Sequence, residues 1–268
     1  MKKLDNLSDI YASYDTFIID LWGVMHNGMR LFPEAIEAVE NLKINKKKII
    51  FLSNAPRPSA SVIEFLKKLN MKDFLLKNIF TSGEAALKSL QEKKFGKNFF
   101  HLGPNRDTPL FKNFEKNKTI LEHCDFILCT GLIEEHEDDL DFHKNFLLNS
   151  LSKKLICTNP DLTVHRGDKE EYCAGSVAKV FESLGGETVY FGKPYKEVYN
   201  LFLNKREKNL IIGDNLNTDI RGANNLDIDS LFITNGVHKS DFEKENDLIL
   251  LLKKYKVTSK YFQKELKW

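Results

Sequence analysis

Short apolar runs recur along the chain: TFIID (16–20), KIIFLSN (48–54), NIFTS (78–82), NFFHLG (98–103), DFILCTG (125–131), KLICTN (154–159), TVYFGK (188–193), NLIIGDN (209–215) and SLFITNG (230–236). They are near-continuous Ile/Leu/Phe/Val segments, not alternations of apolar and polar positions. That pattern predicts strands buried on both faces, as in a parallel sheet covered by helices. Amphipathic stretches lie between them. PEAIEAVENLKINKK (33–47) opens on proline and carries Ile36, Val39 and Leu42 near helical spacing. SASVIEFLKKLNM (59–71) repeats the pattern, and GSVAKVFESLGG (175–186) closes on the glycine pair expected beyond a helix C-terminus. Strand–helix alternation throughout predicts an α/β fold. Nine strands in 268 residues is many for one sheet and suggests a second α/β unit.

The residues that end the runs narrow the chemistry. Four runs stop on a polar residue followed by a turn: Asp20, Ser53-Asn54, Lys193-Pro194 and Asp214-Asn215. Ligands of open parallel sheets bind outside the carboxyl ends of the strands. If these four strands are neighbours, one crevice gathers two carboxylates, a hydroxyl, an amide and an ammonium. Two convergent carboxylates repel unless a cation lies between them. Hard oxygen ligands point to Mg²⁺, which binds one or two carboxylates and leaves room for substrate phosphate. Lys193 and Ser53 would serve phosphate oxygens, and phosphoryl transfer asks for little beyond positioning and charge neutralisation. A carboxylate can itself be the nucleophile. Asp219, five residues after Asp214, would orient Lys193 or a metal-bound water.

Composition excludes more than it identifies. The formal net charge is +2, without the concentrated positive face of a nucleic-acid binder. Cys124, Cys129, Cys157 and Cys173 lack the paired spacing of a zinc site and sit in or beside apolar runs, as buried free thiols do. The opening MKKLDNLSDIYASYD has no apolar leader core, and LILLL (248–252) is far too short to span a bilayer. The expectation is a cytoplasmic protein that binds neither nucleic acid nor membrane.

DLWGV, LSNAP, FGKPY and GDNLNTDIRGA, in that order, resemble the four motifs of the haloacid dehalogenase-like superfamily, and most closely its class IIA phosphatases. The ordered set is specific where any one motif is weak. The resemblance covers nearly the whole chain. It implies a doubly wound, Rossmann-like parallel-sheet core at 1–84 and 188–268, with an α/β cap at 85–187 inserted between the second and third motifs. Asp20 would be the nucleophile and a Mg²⁺ ligand, with the Trp22 carbonyl and Asp214 as further ligands. Ser53 would bind the transferring phosphoryl group, Lys193 would neutralise it, and Asp219 would support the metal. The substrate would be a small phosphorylated metabolite of the sugar phosphate or nucleotide monophosphate class. Caps of this class often join subunits, so a homodimer through the cap is an expectation.

One position departs from the family. Most of its phosphatases carry a second aspartate two residues after the nucleophile, which protonates the leaving oxygen. Here Trp22 stands there and cannot do so. General acid–base catalysis is worth roughly 10²–10⁴-fold. Three readings follow: a phosphatase in which another group or water supplies the proton, a phosphotransferase or acyl-phosphate enzyme with a long-lived phosphoenzyme, and a non-catalytic phosphometabolite-binding protein. His26 is a candidate substitute for the acid, against its reading as a surface loop residue.

Other polar clusters have plainer readings. EEHEDDLDFH (134–143) surrounds His136 and His143 with carboxylates, but its apolar spacing reads as a helix start, where acidic residues suit the dipole. TNPDLTVHRG (158–167) would face the substrate through Asn159, Asp161, His165 and Arg166, or else form a loop at the cap rim. Asn54 is a further substrate-binding candidate. Arg57, just past the second motif, reads as a surface arginine. The chain's last segment, with Trp268, is expected to dock against the core.

Overall fold

The structure is a computed structural model. It describes residues 1–166 and 169–268, with only the backbone of His165 and Arg166. In chain order the elements are β1 (Lys2–Lys3), β2 (Thr16–Ile19), α1 (Pro33–Ile44), β3 (Lys48–Ser53), α2 (Ser59–Lys68), β4 (Ile79–Thr81) and α3 (Ser82–Gln91). There follow β5 (Phe99–Leu102), β6 (Phe126–Cys129), α4 (Leu140–Leu147), β7 (Lys154–Cys157), β8 (Thr163–Arg166), β9 (Lys169–Tyr172), α5 (Ala174–Ser183) and β10 (Glu187–Tyr190). The chain closes with α6 (Lys196–Tyr199), β11 (Asn209–Gly213), α7 (Arg221–Asn225), β12 (Asp229–Ile233), α8 (Asp247–Tyr255) and β13 (Tyr261–Gln263).

Two parallel sheets organise these elements. The larger has the order β1-β13-β12-β11-β2-β3-β4, and the smaller β10-β7-β6-β5. All nine apolar runs form strands, and the doubly wound α/β expectation holds. The strands of the larger sheet run outward in both directions from the β2–β11 pair, so a topological switch point lies at its centre. β2, β6 and β11 are buried at every position, which is why they read as continuous apolar runs. The helices begin where the sequence allows: α1 places Pro33 in its first turn, and Thr81 Oγ1 accepts from Glu84 N at 3.0 Å to cap α3.

A cluster of apolar side chains joins the two sheets. Ile18, Ile50 and Ile211 of the larger sheet share it with Phe99, Phe126 and Ile156 of the smaller one, and Ala86 and Tyr199 fill between them. The strand at 188–190 departs from expectation. β10 pairs with β7, so Glu187–Tyr190 belongs to the smaller sheet and not to the core segment that begins at 188. The four motif-bearing strands are therefore not all neighbours. β3, β2 and β11 are, whereas Lys193 arrives on the chain returning from the smaller sheet.

Three features escaped the apolar pattern. β1 is a two-residue edge strand, β13 beside it has only three residues, and β8–β9 is an antiparallel hairpin too polar to register as an apolar run. Trp268 packs against Tyr11 with ring centroids 4.9 Å apart and the rings tilted by 49°, which docks the end of the chain on the core. The cysteines are buried and free. No helix among the described residues is long and apolar enough to cross a membrane.

Candidate active site

The site forms where β2, β3 and β11 end. Asp20 follows β2, Ser53 ends β3, and Asp214 follows β11. Beyond Asp214 the chain makes one wide turn over Leu216–Ile220, which carries Asp219 back to the strand end. There Asp219 Oδ2 accepts from Asn215 N at 3.2 Å. His238 steadies this turn by accepting from Leu216 N through Nε2 at 3.1 Å, while its Nδ1 lies 2.7 Å from Asp241 Oδ2. The motifs gave no sign of His238's part.

Lys193 is the hub. Its Nζ lies 2.7 Å from Asp20 Oδ1 and 2.8 Å from Asp219 Oδ1, and the residue is 2% exposed. Burial opposes its charge, but the carboxylates of Asp20, Asp219 and Asp161 outweigh burial and raise its pKa, so it is a permanent ammonium. Burial and the Asp219 charge push the Asp20 carboxyl up while Lys193 pulls it back. Asp20 also accepts from Leu21 N at 2.7 Å. Asp214 is pushed up to about 7, chiefly by burial and then by the Asp219 charge.

Carboxylate oxygens of Asp20, Asp214 and Asp219 lie within 4.8 Å of one another. One ammonium against three buried carboxylates leaves excess negative charge. Hard oxygen donors carrying that excess fit a divalent cation of the Mg²⁺ type. Asp214 is held ready: Val237 N donates to its Oδ2 at 2.8 Å, and Gly236 approaches so closely that a Cβ there would fall 2.0 Å from the same oxygen.

A cavity opens from Asp20 toward the smaller sheet, lined among others by Trp22, Ser53, Asn54, Asn159 and Asp161. A second also reaches Asp20, Trp22 and Asp161 and adds Asp214. The structure thus brings the sequence-derived candidates around one space. Ser53 Oγ accepts from Ala55 N at 3.2 Å. Asp161 Oδ1 accepts from Asn215 Nδ2 at 3.3 Å and so bridges the chain after β7 to the chain after β11. Burial pushes Asp161 up to about 6, against the pull of Lys193.

Several expectations change. Asn54 spends its amide on Lys193: Oδ1 accepts from Lys193 N at 2.7 Å and Nδ2 donates to Lys193 O at 3.1 Å. It is a positioning residue before it is a substrate contact. His26 is 3% exposed, neither a surface residue nor a donor to the site. Its Nδ1 accepts from Gly28 N at 3.0 Å, and burial lowers its pKa to about 4. Arg57 is half-buried, with Nε 3.2 Å from Asp107 Oδ1. Asp107, pushed up to about 6 by burial, also lines the first cavity, and no motif marked it. His143 is a buried helix residue whose Nε2 accepts from Ile133 N at 3.1 Å and whose Nδ1 lies 2.7 Å from Asp139 O. The side chains of His165 and Arg166, and Gly167 entirely, lie outside the described residues.

Comparison with known proteins accords with this geometry. A family described as haloacid dehalogenase-like hydrolase matches residues 17–115, and a second, HAD-hydrolase-like, matches 190–250. A 5'-nucleotidase of Bacillus subtilis is 24% identical over 241 residues, covering 85% of this chain and 90% of its own. An acid sugar phosphatase of Staphylococcus haemolyticus is 22% identical, covering 88% and 90%. The crystal structure of a haloacid dehalogenase-like family hydrolase from Brucella suis superposes with a TM-score of 0.86 at 26% identity, covering 98% of this chain and 99% of that one. A 4-nitrophenylphosphatase from Thermotoga maritima shares the fold, with a TM-score of 0.72 at 23% identity over 96% of each chain. With matches over residues 17–115 and 190–250 and likeness along almost its full length, the chain belongs to the haloacid dehalogenase-like hydrolases.

Proposed function

We propose that the protein is a Mg²⁺-dependent phosphatase of small phosphate monoesters, with Asp20 as nucleophile. The observation that carries this reading is the Lys193 ammonium, seated 2.7 Å from Asp20 and 2.8 Å from Asp219 at the sheet's switch point. A pure binding site gains nothing from a carboxylate pressed against substrate phosphate. The relatives named as a nucleotidase and as sugar and nitrophenyl phosphatases support the same class of reaction.

Asp20 attacks the phosphorus in line, forming its own oxygen–phosphorus bond as the bond to the leaving oxygen breaks. Water then cleaves the aspartyl phosphate, returning Asp20 and releasing phosphate. Lys193 neutralises charge on Asp20 and on the phosphoryl oxygens, and Ser53 donates to one of them. Asp20, the Trp22 carbonyl and Asp214 would hold Mg²⁺, which supplies positive charge to the phosphoryl group when bound. Asn54 keeps the Lys193 peptide in place and Asp219 keeps its ammonium aimed. Trp22 gives no proton and His26 is sealed beneath it, so the leaving oxygen takes its proton from solvent. The leaving groups of sugar phosphates and nucleotide monophosphates are alkoxides, which suffer most from that loss.

The test pairs phosphate release with intact mass. Pure protein is mixed with Mg²⁺ and a panel of aryl, acyl and sugar phosphates, with Asp20→Asn as control. Steady release that needs Asp20 is the expected result. A phosphate-sized mass gain without release would replace hydrolysis by phosphotransfer. Silence in both channels would leave a binding protein. Trp22→Asp adds a second axis: it raises turnover of alkyl phosphates by up to roughly 10²-fold if proton donation is what the site lacks.

A further inference from the structure

The loop that follows β12 serves both aspartates of GDNLNTDIRGA. Val237 N donates to Asp214 Oδ2 at 2.8 Å, and the next residue, His238, reaches the wide turn that carries Asp219. Leu216 opens that turn, so its N–H finds no acceptor within it. His238 Nε2 accepts that N–H at 3.1 Å. A ring nitrogen that accepts carries no proton, so the proton of this imidazole sits on Nδ1, 2.7 Å from Asp241 Oδ2. The ring is buried against Tyr255 and Phe232, with centroids 4.9 Å and 6.3 Å away.

The far end of the turn is held by a neighbour of the same ring. Arg221, the first residue beyond the turn, donates from Nη2 to Tyr255 O at 2.8 Å. Between these two anchors Asp219 has little room, since a Cβ at Gly213 would fall 2.1 Å from its Cγ. Its oxygens are divided: Oδ2 accepts from Asn215 N at 3.2 Å, and Oδ1 lies 2.8 Å from Lys193 Nζ. The same Nζ lies 2.7 Å from Asp20 Oδ1. A turn that shifts therefore draws the ammonium off Asp20 or loses its grip on it.

Resting on the phosphatase reading, we propose that His238 and Asp241 are a positioning pair for the Lys193 ammonium. Asp241 fixes the imidazole tautomer, His238 fixes the turn, and Asp219 on that turn aims Lys193 at Asp20. Neither member of the pair touches the substrate. Lys193 answers charge that moves onto Asp20 and the phosphoryl oxygens during transfer, so loss of the pair acts on turnover more than on substrate affinity.

Two substitutions separate the acceptor from the ring. His238→Phe keeps an aromatic ring and removes the acceptor. His238→Gln gives up the ring and returns an acceptor oxygen near the place of Nε2. Turnover is expected to fall about 10- to 100-fold in His238→Phe, the cost typical of a group that orients a ligand from behind, with KM little changed. His238→Gln is expected to recover most of that loss. A residue that only packs would give the opposite order. Asp241→Ala changes an exposed position, frees the tautomer and is expected to lose an intermediate amount; it carries the test if a His238 variant does not fold. Nitrogen NMR of the histidine-labelled wild type is expected to show a bare Nε2 on His238. Calorimetry with Mg²⁺ and orthovanadate, which takes the shape of a phosphoryl group in transit, reads the same variants without turnover and is expected to rank them in the same order. A proton on Nε2, wild-type turnover and vanadate affinity in His238→Phe, or a His238→Gln protein no better than His238→Phe overturns the proposal. If that occurs while Asp20-dependent phosphate release continues, only the positioning pair falls. If vanadate affinity follows the expected order but no donor releases phosphate, the pair stands and the phosphatase reading falls.

Discussion

Asn54 grips the peptide of Lys193 from both sides, accepting from its N–H at 2.7 Å and donating to its carbonyl at 3.1 Å. The two residues come from different sheets' connections, 139 positions apart. The pair therefore fixes where the ammonium enters the site. Asn54→Ala removes both bonds and leaves two buried backbone groups unpaired. A loss of about 2–4 kcal/mol in stability follows, read by urea denaturation. Turnover falls more than substrate affinity does, because Lys193 is displaced from Asp20 and not deleted. A variant with wild-type turnover would show that Lys193 is located by something else.

Lys193→Met tests the hub itself. The change keeps length and removes the ammonium that pairs with both Asp20 and Asp219. Breaking a buried pair is strongly destabilising, by about 3–5 kcal/mol, because uncompensated charge stays behind. Phosphate release should be lost entirely. Stability at neutral pH should fall, and acid should restore part of it by protonating the stranded carboxylates. Thermal melts at pH 5 and pH 7.5 check the direction. A variant equally stable at both would mean the carboxylates do not depend on Lys193.

Asp214 makes a pH prediction of its own. Burial and the Asp219 charge raise it to about 7 in the folded chain, well above its ordinary value of 3.8. The native state therefore holds a proton that the unfolded chain has released. The stability this contributes is fully present below the ordinary value and is lost as pH rises through about 7. Asp161, raised to about 6, acts in the same sense. The metal-free protein should melt at a lower temperature at pH 8 than at pH 6, with about 2 kcal/mol of stability lost over that interval. Mg²⁺ competes with that proton, so its addition should raise the melting temperature more at pH 8 than at pH 6. Melting in chelator and in Mg²⁺ at both values decides it. An equal Mg²⁺ effect at the two pH values would remove Asp214 from the metal-binding set.

How much of this was legible follows from the chemistry of each residue. Asp20, Ser53 and Asp214 end apolar strands, and a buried strand announces itself by composition alone. Lys193 could be named from its motif but not placed, because TVY looks like any core strand although β10 pairs with β7. Asn54's role was hidden since its partner is a backbone group, which no side-chain pattern reports. Asp107 and Arg57 meet only when the two sheets are packed together. His26 carries a titratable ring, yet its burial under Trp22 is a tertiary fact. The β8–β9 hairpin was hidden because Lys169, Glu170 and Glu171 leave no apolar run there.

Gly236→Ala isolates the metal-binding geometry from charge. The added methyl would lie 2.0 Å from Asp214 Oδ2 and 2.2 Å from Asp214 Cβ, inside any tolerable contact. Either the Gly236–Val237 segment retreats or Asp214 turns away, and both break the 2.8 Å bond from Val237 N. No ionisable group is added or removed, so charge and the Lys193 cluster stay as they were. Overpacking of this kind costs about 1–3 kcal/mol, which the fold should survive. A misplacement near 1 Å at a reacting centre costs about 10²-fold in rate. The expected result is a folded protein whose Mg²⁺ half-saturation rises steeply and whose turnover drops by about that factor even at high Mg²⁺. Calorimetric Mg²⁺ titration of wild type and variant separates the two effects. Unchanged Mg²⁺ affinity in a folded Gly236→Ala protein would mean that Asp214 does not hold the metal, and the ligand set would have to be sought without it.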